Sequence, residues 1–324
     1  MNILNWREVW HAYQSHEEAV VQQQRQPASM LDSLRWAVHM RLTDSDSHFK
    51  SKCMFLLRSS LRPRTSMAWY AYLHQTYLRK AISKDIALLD AIHRPFFDRN
   101  IGPGSRLSLM QNHFHLSGIL LGKDLAQDLL AGKAFDIASL QGKNQEQYRL
   151  SLFRCNSFKR EGGLTLGLFQ GTHLLQCLSF SFDHHHQQLS IRVGGVQSSK
   201  QDARELIRAC TKSLHGIQPR LLLIEALRCI AQELNCATIE CIAKKNHIYQ
   251  SWRYRFSKCI RAEYDALWQS AGATPHSNGN YLLPLSVEEK PWSARPSNKR
   301  SEYRARDVLT TDMRKNIVQS LAAA

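Results

Sequence analysis

The most regular pattern of apolar and polar positions lies in residues 189–249. It opens with an alternating segment at 189–193, as expected of a strand with one buried face. Two segments then carry apolar residues three and four positions apart, around 203–210 and 223–234, which predicts two amphipathic helices. A second alternating segment follows at 239–243. The pattern therefore predicts a strand–helix–helix–strand unit.

Glycine and proline mark the joints of this unit. Gly194 and Gly195, at the end of the first strand, predict a β-bulge or a close approach of two backbones. Gly216 is placed to end the first helix in the left-handed conformation, and Pro219 suits the first turn of the second helix. The two helices are therefore expected to meet at a Gly-x-x-Pro corner.

Alternating segments upstream of this unit predict an antiparallel meander. They span residues 148–152, 164–168 and 174–182. Gly162 and Gly163 are the expected hairpin turn between the first two. The Asn278-Gly279 turn signal precedes one more short strand, predicted at 281–285.

The chain divides into three predicted regions. Residues 1–105 show helical spacing and no strand alternation, so they predict a helical N-terminal lobe. Residues 106–290 hold the predicted sheet and form the core. Residues 291–324 are basic, with a modest helix around Ile317, and we expect an appendage. The fold class is α+β, with a mostly antiparallel sheet preceded by the helical lobe.

Charge adds a partner class to this picture. The 324 residues include 43 Lys and Arg against 27 Asp and Glu, a net charge of +16, and the pI is about 9.7. Such an excess favours an anionic ligand, a phosphorylated cofactor or the inner-membrane surface as partner. The basic residues are spread along the chain and no nucleic-acid-binding module is evident, so nucleic acid is not an expected partner.

The sequence also indicates a compartment. None of the eight cysteines forms a Cys-x-x-Cys pair, and most occupy core-like positions, so neither disulfides nor a metal site is expected. The opening residues lack the apolar core of a secretory signal, and no uncharged run approaches the length of a membrane span. We therefore expect a cytoplasmic protein, with peripheral contact at the inner membrane as the alternative.

Several short motifs together resemble one bacterial family. They are Gly195-Val196-Gln197, His215-Gly216 with Pro219-Arg220, Asn246-His247, Tyr264-Asp265 with Trp268, Gly279, Tyr281 with Leu283-Pro284, and Lys299-Arg300 followed by Tyr303-Arg304. The combination resembles the VirK/YbjX family of Gram-negative bacteria over residues 100–320. It departs from that family's pattern at Asp307, where an aromatic residue usually stands. The resemblance implies a factor in virulence, envelope stress and antimicrobial-peptide resistance.

The order of elements bears a second resemblance, to the GNAT-like acyl-CoA N-acyltransferase fold. In that fold the cofactor pyrophosphate sits on a helix N-terminus, where free N–H groups and the helix dipole favour phosphate. The resemblance implies acyl-CoA, or acyl carrier protein, as the cofactor. The matching corner offers four candidate cofactor-binding residues, Arg208, Lys212, Gly216 and Arg220. An extra helix before the corner and a missing Arg/Gln-x-x-Gly-x-Gly/Ala signature depart from the usual arrangement.

Acyl transfer needs a base that deprotonates the acceptor and an acid that protonates the departing thiolate. The candidate acids are Tyr249 and Tyr254, and the candidate bases are His215 and His247, because they lie where the two parallel strands are expected to splay. For each of the four, packing and hydrogen bonding alone is the alternative role.

Two functions therefore stay open. One is an acyltransferase-like enzyme acting on an envelope component, and the other is a non-enzymatic basic adaptor that binds anionic lipid or a protein partner. Charge reversal of Arg208 together with Lys212 is expected to abolish anion binding if the corner is the site.

Overall fold

The structure, a computed structural model, describes most of the chain beyond residue 26. The described residues are 27–185, 187–198, 203–254, 262–287 and 296–323, with residues 14, 256, 260 and 291 described singly. The rest of the predicted lobe before residue 27, including Trp6 and Trp10, lies outside this set.

Within the described residues lie nine α-helices and eight strands. The helices are α1 (Pro27–Thr43), α2 (Phe49–Leu61), α3 (Pro63–Gln75), α4 (Pro103–Leu120), α5 (Lys123–Leu130), α6 (Ala203–Ser213), α7 (Pro219–Glu233), α8 (Tyr264–Ser270) and α9 (Arg300–Ala322). The strands are β1 (Phe135–Gln141), β2 (Gln147–Phe153), β3 (Leu164–Gln170), β4 (His173–His185), β5 (Gln188–Ser198), β6 (Thr238–Cys241), β7 (Thr274–Pro275) and β8 (Tyr281–Leu283).

The eight strands form one sheet in the order β1-β2-β3-β4-β5-β6-β8-β7. Strands β1 to β5 pair antiparallel with their neighbours in sequence, which is the predicted meander. Strands β5 and β6 are parallel and are joined through α6 and α7. The predicted α+β class, the mostly antiparallel sheet and the helical region before it are confirmed.

The joints of the strand–helix–helix–strand unit have the predicted geometry. The β4–β5 register shifts at Gly194, which is the extra residue of a β-bulge. Gly216 has a φ of +79° and follows the end of α6, where a left-handed residue costs glycine nothing. Pro219 occupies the first turn of α7, where its missing N–H leaves no hydrogen bond unmade.

Gly162 and Gly163 do not form the predicted tight turn. β2 ends at Phe153 and β3 begins at Leu164, so the longer segment 154–163 joins them. A Cβ on Gly162 would collide with the backbone of Phe180. The glycines therefore serve close packing of this loop against the sheet.

Two clusters of buried apolar side chains stabilise the fold. The larger one joins the sheet to α7, α9 and the end of α4, and the smaller one lies in the N-terminal lobe around Trp69 and Tyr70. Helix α4 contributes to both, with Leu116 in the larger and Met110 in the smaller. The predicted boundary at residue 105 stays a prediction.

The C-terminal helix is not the appendage expected from its basic composition. Helix α9 packs on β1 and α7. Leu309, Met313 and Ile317 are buried in the larger cluster, and their spacing of four puts them on one helical face. The helix therefore completes the core. None of the described helices is long and apolar enough to cross a membrane.

Candidate functional site

The corner between α6 and α7 is closed by the C-terminal helix. The guanidinium of Arg306 donates a hydrogen bond to the carbonyl oxygen of His215 and pairs with Glu302 at 3.3 Å. A Cβ on Gly216 would collide with both of these α9 side chains. The space that a phosphate would need beside Gly216 is therefore filled.

The other corner candidates stand on open surface. Arg208, Lys212 and Arg220 are exposed, and Arg220 Nε donates to the Gln218 side chain at 2.8 Å. Exposed cations remain hydrated, so each attracts an anion only weakly. Burial and, next, the charge of Lys143 lower the pKa of His215. The corner therefore has separate exposed cations at its surface, and the space beside Gly216 is occupied by side chains of α9.

The remaining three candidates lie beside a carboxylate that the sequence analysis did not single out. Glu161 is fully buried in the loop between β2 and β3. Gln197 Nε2 donates to Glu161 Oε1 at 3.0 Å and to Tyr264 Oη at 2.8 Å. His247 Nε2 is 3.9 Å from Glu161 Oε1. These residues and Tyr249 form a polar group inside the protein, called here the Glu161 network.

The glycines of β5 make room for this network. A Cβ on Gly194 would collide with the backbone carbonyl of Glu161, and a Cβ on Gly195 would collide with its carboxylate. The predicted close approach of two backbones is therefore present, and its function is to admit Glu161 beside the strand.

Burial determines the protonation states of His247 and Tyr249 in the network. His247 Nδ1 accepts the backbone N–H of Tyr249 at 3.2 Å, so the neutral ring carries its proton on Nε2, which faces Glu161. Burial lowers the pKa of His247 to about 4, and it raises the pKa of Tyr249, to which Glu161 also contributes. At neutral pH the imidazole is uncharged and the Tyr249 phenol keeps its proton.

Tyr254 lies between the network and a group of cations in electrostatic range. Its ring contacts that of Tyr249, with centroids 5.7 Å apart and planes at 88°. Tyr254 also lies within electrostatic range of Arg58, Arg106 and Arg160. These three belong to a set that we name the arginine cluster. Its members are Arg58, Arg62, Arg94, Arg106, Arg160 and Arg253.

In the described part of the chain, carboxylates compensate the arginine cluster only in part, because Asp90 alone pairs with a member and acts on Arg160 from farther away. Asp90 pairs with Arg41 at 3.0 Å and reaches Arg58 only at 4.0 Å. Among the described residues, no carboxylate pairs with any other member of the cluster. Arg106 is 7% exposed, and its Nε is buried without a hydrogen-bond partner in the described part of the chain. Arg106 Nη1 donates to the backbone carbonyl of Ile92 at 2.9 Å, so its guanidinium has a neutral acceptor but no charged partner. A buried cation without an opposite charge beside it is costly, so the cluster is suited to accept an anion.

The arginines also act on one another. Burial and, next, the charge of Arg62 lower the pKa of Arg106 to about 10. Burial, followed by repulsion from Arg253 and Arg94, lowers the pKa of Arg58. A bound anion would relieve this repulsion as well as the cost of burial.

Two small cavities adjoin the site. Arg160 lines one of them, and both touch His113 and Gly163. Each has about 10 Å³ of space, which is room for about one water molecule and far from the size of an acyl-CoA. No group of three or more His, Cys, Asp or Glu that could hold a metal ion occurs among the residues that the structure describes.

The structure divides the eight predicted site residues into two places. His247, Tyr249 and Tyr254 come together beside Glu161, and the other five lie at the corner beside α9. Sequence reasoning missed Glu161 and the arginine cluster, because the arginines come from separate segments of the chain. One signal was available: residues 47–84 contain eight Lys and Arg and no Asp or Glu.

Fold and site together define an α+β protein with an uncompensated cationic cluster next to a buried Glu–His–Tyr network. The chain belongs to the family described as "Protein of unknown function (DUF535)", which matches residues 44–319. It is 31% identical to the "Uncharacterized protein YbjX" of Escherichia coli (strain K12) over 257 residues, 78% of each chain. This confirms the VirK/YbjX-type resemblance.

A second relative supports the same family. An "Uncharacterized protein" of Haemophilus influenzae (strain ATCC 51907 / DSM 11121 / KW20 / Rd) is 25% identical over 246 residues, 76% of this chain and 81% of the relative. No solved structure matches the chain. The GNAT-like resemblance is therefore not confirmed.

Proposed function

We propose that the protein binds a phosphate-bearing anion of the bacterial cell envelope at the arginine cluster. The observation that carries the proposal is that no described carboxylate pairs with five of the six arginines, two of which, Arg106 and Arg160, are buried. A protein that gained nothing from these charges would be more stable with apolar side chains in their place. Their presence is explained if a ligand supplies the missing negative charge.

Phosphate suits this cluster for geometric reasons. A guanidinium group presents a planar fork of N–H donors that matches two oxygens of a phosphate, and it stays charged when buried. The cluster combines enclosed donors on Arg106 with exposed ones on Arg62 and Arg253, so an anion can approach from solvent. In a closed internal ion pair, by contrast, the cation already has its anion and neither is open to solvent.

The VirK/YbjX-type family gives the proposal a context. The resemblance implies roles in virulence, envelope stress and antimicrobial-peptide resistance. Cationic peptides are attracted to anionic phosphate groups of the envelope. A basic protein that binds the same kind of group would act on the same chemistry, as an adaptor for lipid or for another phosphate-bearing component.

Thermal unfolding with and without inorganic pyrophosphate tests the proposal. We expect pyrophosphate to raise the Tm relative to sodium chloride at matched ionic strength, because a ligand that binds only the folded state stabilises it. The cluster variant, Arg106→Gln with Arg160→Gln, should lose this shift. The corner variant, Arg208→Gln with Lys212→Gln, removes the same charge and should keep it.

Two outcomes would count against the proposal. One is a Tm of the unaltered protein that does not respond to pyrophosphate. The other is a shift that disappears in the corner variant and persists in the cluster variant, which would return the site to the α6–α7 corner.

Acyl transfer is the second candidate, and one observation favours it. Tyr254 joins the arginine cluster to the Glu161 network, so a phosphate-bearing donor would lie next to Tyr249 and His247. In this arrangement Tyr249 would be the acid that protonates the departing thiolate, and the Glu161 carboxylate would be the base that takes the proton of the acceptor, with His247 Nε2 facing it. The network is buried, so the loop 154–163 would have to move before a thioester could reach it.

Release of free thiol from acyl-CoA or acyl carrier protein, with an amine acceptor present, tests this candidate. We expect Glu161→Gln to abolish turnover and the corner variant to preserve it. No thiol release by the unaltered protein with either donor, while pyrophosphate still raises its Tm, would leave the binding function alone.

A further inference from the structure

Helix α2 presents an apolar face to solvent. Its inner side buries Phe55 and Ser59 against the lobe. Its outer side carries Phe49 at 81%, Leu57 at 51% and Leu61 at 71% exposure. Leu57 comes eight residues after Phe49 and Leu61 four residues after Leu57, so the three follow one side of the helix. A row of large apolar side chains with this much exposure is unusual on a protein surface and marks a binding face.

A second apolar feature lies in the segment 251–256. Trp252 is 80% exposed and Phe256 is 84% exposed. In sequence this segment alternates aromatic residues with arginine, Trp252-Arg253-Tyr254-Arg255-Phe256. Such interleaving of ring and guanidinium is typical of segments that sit at the boundary between lipid and water.

Both features contain a member of the arginine cluster. Arg58 belongs to α2, next to Leu57, and it lies within electrostatic range of Arg253 and Tyr254. Arg58 and Arg253 therefore bring α2 near the segment that carries the exposed Trp252.

The two sequence segments that contribute to this surface carry basic residues and no acidic ones. Residues 47–84 include eight Lys and Arg and no Asp or Glu, and residues 241–262 include six Lys and Arg and no Asp or Glu. Asp46 precedes α2 and Asp90 lies 4.0 Å from Arg58, but α2 itself contains three basic residues and no acidic one. An apolar face with this basic excess complements a surface that is negatively charged and apolar beneath. A bilayer rich in anionic lipid has both properties, because its phosphates lie directly above hydrocarbon.

We infer that α2, Trp252 and Phe256 dock the protein peripherally on a membrane of anionic lipids, with lipid phosphates entering the arginine cluster. This inference rests on the proposed function and names the source of the phosphate. Leu57, Leu61 and Trp252 insert among the headgroups, and the arginines hold the phosphates. Basic residues near such a surface are attracted to its phosphates, so the cluster adds to the affinity that the inserted side chains provide.

Co-sedimentation with vesicles tests the inference. The vesicles consist of phosphatidylcholine alone or of phosphatidylcholine mixed with phosphatidylglycerol. We expect the protein to sediment only with the mixed vesicles. The membrane variant, Leu61→Ser with Trp252→Ser, should lose about tenfold or more in vesicle affinity, because two inserted apolar side chains are removed. The control variant, Val287→Ser with Val308→Ser, alters two other exposed apolar residues and should bind as the unaltered protein does.

Pyrophosphate binding separates this inference from the function on which it rests. The membrane variant should keep the Tm shift with pyrophosphate, because its arginines are intact, and the cluster variant should lose both activities. A protein that responds to pyrophosphate yet ignores phosphatidylglycerol overturns the docking and leaves the phosphate site standing. A protein that does neither overturns both.

A second copy of the chain is the competing occupant of this face. Light scattering during size-exclusion chromatography would then show a dimer that the membrane variant converts to a monomer, with vesicle binding unchanged. That result would overturn the docking inference.

Discussion

The arginine cluster and the α6–α7 corner are both cationic, and they differ in what surrounds the charge. At the corner, the cations stand on exposed helix surface, and Arg306 of α9 fills the enclosed position. In the cluster, Arg106 and Arg160 are buried, and no described carboxylate pairs with either. The enclosed position at the corner is already occupied by a paired cation, Arg306, whereas the buried cations of the cluster have no charged partner among the described residues.

The comparison shows why basic residues alone do not locate a binding site. A hydrated surface cation gains little from a partner, because water already solvates it and salt screens it. A buried cation without a charged partner gains more binding free energy from an anion, because it has already lost its hydration in the folded protein. Burial without compensation is the better guide to where an anion binds.

The largest stability difference is expected between two glutamates, one from each region. Glu161→Ala removes a buried carboxylate that Gln197 and Tyr249 contact, and should cost about 3–5 kcal/mol because it leaves buried polar groups without their partner. Glu302→Ala removes a half-buried carboxylate at the corner and should cost about 0.5–1 kcal/mol. Urea unfolding at neutral pH measures both. Equal losses would show that the Glu161 network is no more important to the fold than the corner.

The two histidines should respond differently to acid. His247 has a folded-state pKa of about 4, against about 6.5 when unfolded, so the unfolded chain binds the proton more tightly. Its contribution to stability is present above pH 6.5 and is lost as the pH falls towards 4. Between pH 7 and pH 5 the loss is about 2 kcal/mol.

Substitution of His247 by asparagine isolates the contribution of His247 to the pH dependence of stability. His247→Asn keeps an acceptor for the N–H of Tyr249 and does not titrate, so the fall in unfolding free energy between pH 7 and pH 5 should shrink by about 2 kcal/mol. His215, at the more exposed corner, also has a lowered pKa, so His215→Asn is the matched control and should shrink that fall by less than His247→Asn does. The account is contradicted if both variants keep the same pH dependence as the unaltered protein.

A methyl group at Gly216 tests whether the corner is closed. Gly216→Ala should cost about 1–2 kcal/mol because of its positive φ alone, with a further loss from the collision with Arg306 and Glu302. In an Arg306→Ala background the further loss should be smaller, which a double-mutant cycle would detect. Gly104→Ala, at a helical position with open space, is the control and should not destabilise. Strict additivity at Gly216 and Arg306 would mean that the corner is open.

The smallest effect is a gain. Arg106→Gln removes a buried charge that pairs with no described carboxylate, and its amide still offers an N–H donor for the carbonyl of Ile92. It should raise the free energy of unfolding by about 1 kcal/mol in phosphate-free buffer, because functional sites are often held at a cost in stability. Arg208→Gln, on open surface, should stay within about 0.5 kcal/mol of the unaltered protein. Destabilisation by Arg106→Gln comparable to a core substitution would indicate that Arg106 is a structural residue.

Local signals in the sequence predicted the central unit well. Alternation at Leu189, Ile191 and Val193 marks β5, the bulge falls at Gly194, and Gly216 adopts the positive φ expected after a helix. Each of these features depends on neighbouring residues only, so a single sequence carries enough information to predict it.

Long-range features were predicted less well. Leu309, Met313 and Ile317 have visible helical spacing, but the basic residues around them suggested an appendage, and only the tertiary structure shows what they pack against. Gly162 and Gly163 have the composition of a turn, although the backbone of Phe180 and the ring of His113 are what require glycine there. Partners that are distant in the chain determined both outcomes.

The candidate site shows the same limit. His247, Tyr249 and Tyr254 were chosen from one segment and do lie together. Glu161 and Arg160 come from a loop that precedes them by more than 80 residues, and nothing in the sequence near them indicates burial. The long acid-free stretch at 47–84 was the accessible hint that the lobe contributes cations to a site.

The most direct test of the central claim is the position of a bound oxyanion. A crystal soaked in tungstate gives an anomalous signal that locates the anion without assumptions about function. The account predicts a peak within hydrogen-bonding distance of the guanidinium groups of Arg94 and Arg106. A peak beside His215 and Arg220, with none at the arginine cluster, would contradict it.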